Sequence, residues 1–437
     1  MSTIAPIEAP EQTAAPDEQP SRFALLKLLI GVAVVVALFV AFGLGALLAV
    51  IAAIVAMVML HELGHFATAK WSGMKVTEYF VGFGPRLWSI RRGETEYGVK
   101  AIPAGGYVRI IGMTSAEEIH PDDEPRAYRN QPFGKRIIVA SAGSVMHLII
   151  AFVLALIVVC AIGRPNPSVI TVSNYLTFAS GETPAQQAGI LPGDQLLSID
   201  GHRINSTSAL SSVVASHAGK SVHVTVSRSG HTYTYSVTPV DGRTVRYDGS
   251  TLANPSGPSR GYLGVSLSEG SSKTSILAGI PAAGSIVWSV VSGSVAAIGH
   301  LFSPSGISSY VHTLTHPAAS TKSASSSAAQ NRPESIVGAV RTATQAVQAG
   351  WLAILEVFIA LNVFIGIINM LPMLPLDGGH VVIAGYEWIR TGRSKTRYRA
   401  DVTKLMPVVY VFVAILLMLV ISSVYLDVSH PMPNPFK

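Results

Sequence analysis

A single cysteine, Cys160, occurs in the 437-residue chain, and it lies inside an apolar run. No intramolecular disulfide can brace the fold, and cysteine usage leaves the redox compartment unread. Charge is equally scarce, with Asp, Glu, Lys and Arg making up 13% of residues against 49% hydrophobic. Mean hydropathy is +0.43, which excludes an ordinary soluble protein. The chain also lacks a basic helix with interleaved aromatics, so nucleic acid is not an expected partner. Its surplus of six positive charges sits in loops beside apolar runs, where it sets orientation in a membrane. Nor is there a signal-peptide pattern. Residues 1–22 are acidic and rich in Ala, Pro and Thr, the composition of a disordered tail, and the apolar run that follows is too long for a signal peptide.

What the chain does hold is apolar length. Residues 23–70 are almost continuously apolar, more than twice the roughly 20 residues of one crossing. A break near Phe42-Gly43-Leu44-Gly45 predicts two helices; the alternative is one span from Gly45 behind an interfacial helix in which Lys27 snorkels. Residues 71–136 are polar and basic, hence a cytoplasmic loop. Within it, the stretch from Trp88 to Val99 alternates about Gly93 like a hairpin, and Ile102-Pro103-Ala104-Gly105-Gly106-Tyr107-Val108-Arg109-Ile110 reads as a strand entered through glycines. Residues 137–163 form the next span, with small residues that permit close packing. Its lone histidine, His147, is either a packed neutral imidazole or a substrate contact.

After Arg164 the composition turns soluble. Over residues 164–245, Pro184-Ala185-Gln186-Gln187-Ala188-Gly189-Ile190-Leu191-Pro192-Gly193-Asp194 leads into a strand ending Asp200-Gly201, and alternating strands follow. This run resembles a PDZ domain, whose groove takes an extended peptide as an added strand; the other reading is a steric plug or filter. Residues 246–350 form an extracytoplasmic linker. Within it, 276–301 is long enough to cross, but crossing would put the later basic loop on the wrong side, so an interfacial or packed helix pair is expected. Residues 320–331 are a Ser/Ala linker. Residues 351–385 hold another span and its exit, 386–404 a basic cytoplasmic loop, 405–427 a last span and 428–437 a tail. The expected fold is an α-helical polytopic membrane protein with a membrane-associated β-hairpin and an inserted extracytoplasmic PDZ-like α+β domain.

Chemistry concentrates at two places. His61-Glu62-Leu63-Gly64-His65 stands at the end of the second apolar run. On a helix, His61 and His65 share a face, so two neutral nitrogens reach one metal ion while Glu62 sits beside it as a base. Two histidines and a glutamate at that depth are costly without a function. The second place is Pro372-Met373-Leu374-Pro375-Leu376-Asp377-Gly378-Gly379, where prolines end a helix and Asp377 is offered as a third ligand. Three protein ligands with an open fourth position are the catalytic pattern of zinc. Asn362 and Asn369, seven apart on one helix face, either hydrogen-bond substrate or fasten helices.

Together with Phe80-Val81-Gly82-Phe83-Gly84-Pro85, these stretches resemble bacterial site-2 proteases, zinc intramembrane metalloproteases. The resemblance covers about residues 46–385. It implies Zn²⁺ on His61, His65 and Asp377, Glu62 as the base, and a membrane-embedded hairpin at Gly105, Gly106 and Tyr107 that holds substrate as a strand. It also implies regulated intramembrane proteolysis in a bacterial plasma membrane, with lipid around it and single-pass membrane proteins, such as anti-sigma factors or signal-peptide remnants, as substrates. One departure stands out: Gly143-Ser144-Val145-Met146-His147 replaces the family's Gly-Pro-x-x-Asn. Two other classes compete with this one. A membrane-anchored zincin would use soluble or misfolded substrates and a glutamate ligand, and a non-catalytic PDZ scaffold would not need Glu62.

Overall fold

The structure, a computed structural model, describes residues 22–113, 117–178, 181–247, 250–251, 257–317, 332–392 and 398–436. The expected N-terminal tail (apart from Arg22) and the Ser/Ala linker lie outside these, as do Arg393, Lys395 and Arg397 of the basic loop. The chain divides into two compact units, residues 1–155 with 284–437, and Leu156–Ala283.

The first unit is built on apolar helices. In hydrocarbon every backbone N–H and C=O must be paired internally, so long apolar runs become helices. Helix α1 (Arg22–Ala41) and helix α2 (Gly45–Trp71) are separate, with the chain turning at residues 42–44. A basic, polar excursion follows, in which strands β1 (Val76–Arg92) and β2 (Thr95–Ile110) pair antiparallel with Gly93 at the turn. The ladder doubles back: residues 78–81 lie opposite both 96–99 and 106–109. That leaves the 106–110 stretch paired with β1 alone, an open strand edge among the described residues.

Helix α3 (Phe133–Ile157) returns the chain to the apolar layer, starting four residues earlier than the polarity change suggests. Ala69, Met74, Val76, Ile110, Tyr128, Val139 and Ala140 form one buried cluster that binds α2, the hairpin and α3 together.

The second unit is a sheet in the order β12-β3-β4-β6-β7. It comprises β3 (Arg164–Tyr175), β4 (Gln195–Ile199) with the short β5 (His202–Arg203), β6 (Val222–Arg228), β7 (His231–Val237) and β12 (Val265–Ser272). Two-residue pairs β8 (Val240–Asp241) with β11 (Gly261–Tyr262) and β9 (Arg246–Tyr247) with β10 (Ser250–Thr251) decorate it. Helices α4 (Pro184–Gln187) and α5 (Thr207–Ala215) cover the sheet. Val222, Val224 and Val226 are buried in strict alternation, which is what a strand with one covered face requires. The sheet runs past residue 245, because β12 pairs with β3.

Helix α6 (Ile276–Leu301) is one unbroken helix through Pro281, where a helix pair is expected from the sequence; α7 (Pro304–Thr315) follows it. Helix α8 (Ile336–Ala349) packs Ala343 and Ala346 against Val50 of α2 and Ile354 of α9 (Trp351–Asn369). Helix α10 (Asp377–Gly392) occupies the first part of the expected basic loop, and α11 (Met406–Ser429) is the last. The expected tail begins inside α11 and is packed: Phe436 touches the α8 cluster. Among the described residues, six helices can cross a membrane by length and composition: α1, α2, α3, α6, α9 and α11. The exposed apolar side chains of α1 and α11 are what lipid-facing spans present. The chain is a multi-pass membrane protein carrying sheet structure.

Candidate metal centre

Helix α2 delivers His61 and His65 on one face, as four-residue spacing dictates. Their Nε2 atoms are 3.3 Å apart. Asp377, the first residue of α10, brings its Oδ2 to 3.3 Å from His65 Nε2 and 3.6 Å from His61 Nε2. Donors at about 2.0–2.1 Å from a tetrahedral zinc stand about 3.4 Å from one another, so the triangle fits that ion. Among the described residues this is the one group of three or more His, Cys, Asp or Glu side chains that could hold a metal.

Two further observations support the fit. His65 Nδ1 donates to the Val139 carbonyl at 2.7 Å, which turns the lone pair of Nε2 toward the centre and fixes the ring. Asp377 Oδ2 and His61 Nδ1 are buried without a hydrogen-bond partner. A carboxylate oxygen left bare at depth is costly, and a bound cation relieves it.

The centre needs α2 and α3 almost in backbone contact. A Cβ on Gly143 would lie 2.3 Å from His61 Cε1 and 2.4 Å from His65 Nε2. Only glycine leaves the imidazoles where they are. From the sequence Gly143 reads merely as one small residue of a packing stripe; its contact with the histidines is invisible in one dimension.

Glu62 is half-buried, with Oε1 4.0 Å from His61 Nε2 and Oε2 accepting the Val108 N–H at 3.1 Å. The open edge of β2 therefore runs past the carboxylate. Tyr79 of β1 donates its hydroxyl to the Met59 carbonyl at 2.8 Å, and a Cβ on Gly106 would sit 2.3 Å from Met59 Sδ, so the hairpin lies directly on α2. Gly105 and Gly106 are buried there. Tyr107 turns its side chain into the hairpin instead, donating to Glu78, accepting from Lys100 Nζ at 2.6 Å, and stacking between Phe80 and Phe83. Val108, which no sequence signal singles out, is the strand residue whose N–H reaches Glu62.

His147 is 1% exposed, with its ring centroid 4.9 Å from that of His61. Its Nδ1 meets Asn362 Oδ1 at 3.0 Å while Asn362 Nδ2 donates to the Phe358 carbonyl at 2.8 Å. The structure thus joins His147 and Asn362, 215 residues apart, beside the centre. Asn369 closes α9, and no side-chain hydrogen bond among the described residues links it to them. At the far end of α2, Lys70 and Arg126 grip Glu94 of the hairpin turn at 2.6 to 2.9 Å. The Arg126 guanidinium first, then Lys70, hold the Glu94 carboxyl down at about 2 against the cost of burial.

The sequence matches the model of peptidase family M50 over residues 49–418. It is 33% identical over 403 residues to the zinc metalloprotease Rip1 of Mycobacterium tuberculosis, covering 87% of this chain and 95% of that protein. Against Rip1 of Mycolicibacterium smegmatis the identity is 33% over 423 residues, 90% of this chain and 98% of the other. A putative zinc metalloprotease of Clostridium perfringens is 30% identical over 328 residues, 75% and 84% respectively. The chain belongs to peptidase family M50, the site-2 proteases, and is a zinc-dependent metalloendopeptidase of the membrane.

Proposed function

We propose that this protease cuts single-pass membrane proteins within or beside their membrane segment, with His61, His65 and Asp377 holding zinc and Glu62 as general base. The observation that carries the proposal is the Val108 N–H on Glu62 Oε2, which brings an open strand edge, a base and three ligand atoms to one place. A transmembrane helix hides its carbonyls in its own hydrogen bonds, so a substrate must unwind before it is cut. The β2 edge at Gly105, Gly106 and Tyr107 offers the unwound segment main-chain partners as an added strand. Zinc, when bound, supplies Lewis acidity at the scissile carbonyl. Glu62 removes a proton from the attacking water and returns it to the leaving amine. His147 and Asn362, adjacent to His61, orient the substrate backbone, and Asn369 supports it from the end of α9.

The Leu156–Ala283 unit is, on this proposal, a PDZ-like extracytoplasmic domain in a bacterial plasma membrane. In its favour, α5 and the Gly261–Tyr262 strand flank a cavity of about 280 Å³ lined by Leu176, Leu210, Val214, Arg260, Leu263 and Leu267. An extended apolar peptide suits that lining. Substrates resembling anti-sigma factors or signal-peptide remnants, already trimmed outside, would meet it first.

The test compares Glu62→Ala and Asp377→Ala with the unaltered enzyme on a tagged single-pass substrate in detergent. Both variants lose cleavage; full cleavage by Glu62→Ala would sink the assignment. Orientation is checked by thiol labelling of a cysteine placed at Ser206, which is expected from the outside only.

A further inference from the structure

Asp377 Oδ2 has no hydrogen-bond partner, and what fixes that end of α10 besides a bound ion is backbone packing, with Gly378 and Gly379 pressed against residues 370–374. The chain before it, residues 370–376, is a run of turns. A contact further along the helix would add to what fixes its rotation.

Asp377, His380, Ala384 and Glu387 are spaced three, four and three residues apart and so share one face of α10. Ala384 is buried on that face. On α3 the same spacing relates Arg136, Val139 and Gly143. The Val139 carbonyl accepts a hydrogen bond from His65 Nδ1, and Gly143 abuts both imidazoles. Each helix therefore presents a stripe with a metal-centre group at one end. At the other end the two stripes meet in an ion pair, where Arg136 Nη1 donates to Glu387 Oε2 at 2.5 Å, with side chains 9% and 13% exposed.

The pair is embedded. Glu387 Oε1 accepts the Ala400 N–H at 2.7 Å. The Arg136 guanidinium lies over the Tyr128 ring at 5.1 Å, and the Tyr128 ring meets His380 edge-on at 6.3 Å. Phe133 and Trp388 stack at 5.0 Å beside it. Ten residues of helix, about 15 Å at about 1.5 Å per residue, separate Glu387 from Asp377. We propose that Glu387, locked to Arg136, is a positioning residue that sets the rotation of α10 and so holds Asp377 against His61 and His65.

The magnitudes favour this. A helix rotation of about 20° carries a side-chain oxygen on the order of 2 Å at its radius, whereas metal sites tolerate about 0.2 Å. A buried ion pair adds little net stability, yet leaving one partner unpaired is strongly unfavourable, so the pair acts as a two-sided stop against rotation.

The proposal rests on Asp377 being a ligand, and the experiment separates the two. In the full-length protein in detergent, zinc affinity is measured by competition with a chromophoric chelator, alongside kcat, KM and thermal melting. The variants are Glu387→Gln, Arg136→Gln, the double variant, Glu387→Asp and Asp377→Ala. Glu387→Gln is expected to weaken zinc about tenfold, in the range seen when outer groups that orient ligands are removed. It lowers kcat, and added zinc restores kcat at an unchanged melting temperature, a rescue that a general loss of fold does not produce. The double variant is expected to be no worse than the worse single one, since the groups act as a unit. If Glu387→Gln does not fold, Glu387→Asp carries the test and must still weaken zinc. Zinc affinity within twofold of the unaltered protein in whichever Glu387 variant folds, or losses that add in the double variant, would overturn the proposal. Undiminished zinc in Asp377→Ala would overturn the ligand assignment and this proposal together.

Discussion

Two aspartates with buried carboxylate oxygens stand at helix ends in the same unit, and they are kept in opposite ways. Asp427, at the end of α11, is 1% exposed. Its Oδ1 accepts from Arg332 Nη2 at 2.6 Å and its Oδ2 from the Ser335 N–H at 2.7 Å. Arg341 adds a bond to its backbone carbonyl, and a Cβ on Gly338 would stand 2.4 Å from Oδ2. Every acceptor is answered, and the result is a clasp between α11 and the start of α8. Asp377 instead holds a bare Oδ2 facing two imidazole nitrogens. Asp377 is the more exposed of the two, its side chain 16% exposed, but its Oδ2 atom is buried; what separates the pair is satisfaction. A fully answered carboxylate is structural, and one left with an unanswered oxygen beside two neutral ligands is reserved for a cation.

The widest separation comes from Glu62, the proposed base beside Asp377. Glu62→Gln is expected to cut the rate about 10²- to 10⁴-fold, the range for a lost general base, with zinc content unchanged. Zinc loss in that variant would merge holding the ion with using it. Next, Asp427→Asn removes the carboxylate that Arg332 and the Ser335 N–H bond to, and breaking that buried pair is expected to cost about 3–5 kcal/mol in unfolding free energy while zinc binding persists. Asp377→Asn is expected to do the reverse, releasing zinc without destabilising the zinc-free protein. Equal melting shifts for the two would erase the distinction. The glycines sharpen it at smaller scale. Gly143→Ala forces a methyl onto His61 and His65 and should deplete zinc, whereas Gly338→Ala pushes on Asp427 and should lower stability by about 1–3 kcal/mol. Metal analysis and denaturant titration of both variants check that division.

A third carboxylate marks the small end. Glu94 is gripped by Arg126 and Lys70, but its side chain is 28% exposed, so screening limits the pair to roughly 0.2–1 kcal/mol. Its carboxyl is held at about 2, below the ordinary 4.5. A depressed carboxyl contributes stability that is full above 4.5 and is lost as pH falls toward 2. Glu94→Gln should therefore melt slightly lower than the parent at pH 6, with the gap closing toward pH 2. A gap that widens on acidification would contradict the assigned partners.

Much of this was legible along the chain because the signals are local. Apolar length marks α2, α3, α9 and α11, four-residue spacing pairs His61 with His65, and alternation about Gly93 marks the hairpin. Asp377 is legible because a carboxylate set after two prolines at the end of an apolar run is costly there unless it binds something. The remainder involves contacts between distant segments. His147 and Asn362 meet across 215 residues, and Val108 reaches Glu62 through a main-chain N–H that carries no side-chain signature. The expected helix pair at 276–301 is one helix through Pro281: the proline removes a single backbone bond, and the long apolar run around it keeps its other backbone groups paired within the helix. The sheet of the second unit gains β12 from beyond the apparent boundary, because strand pairing follows space and not order.

Sequence alone determined that this is a membrane protein and which residue types do its chemistry. Hydrocarbon demands long apolar helices, and zinc hydrolysis demands two neutral nitrogens, a carboxylate ligand and a base. Tertiary structure alone decided that Gly143 must be bare, that an open strand edge lies on Glu62, and that Asp377 goes unanswered while Asp427 does not. Each of these depends on the distance between backbones far apart in the chain, a quantity that no local pattern encodes.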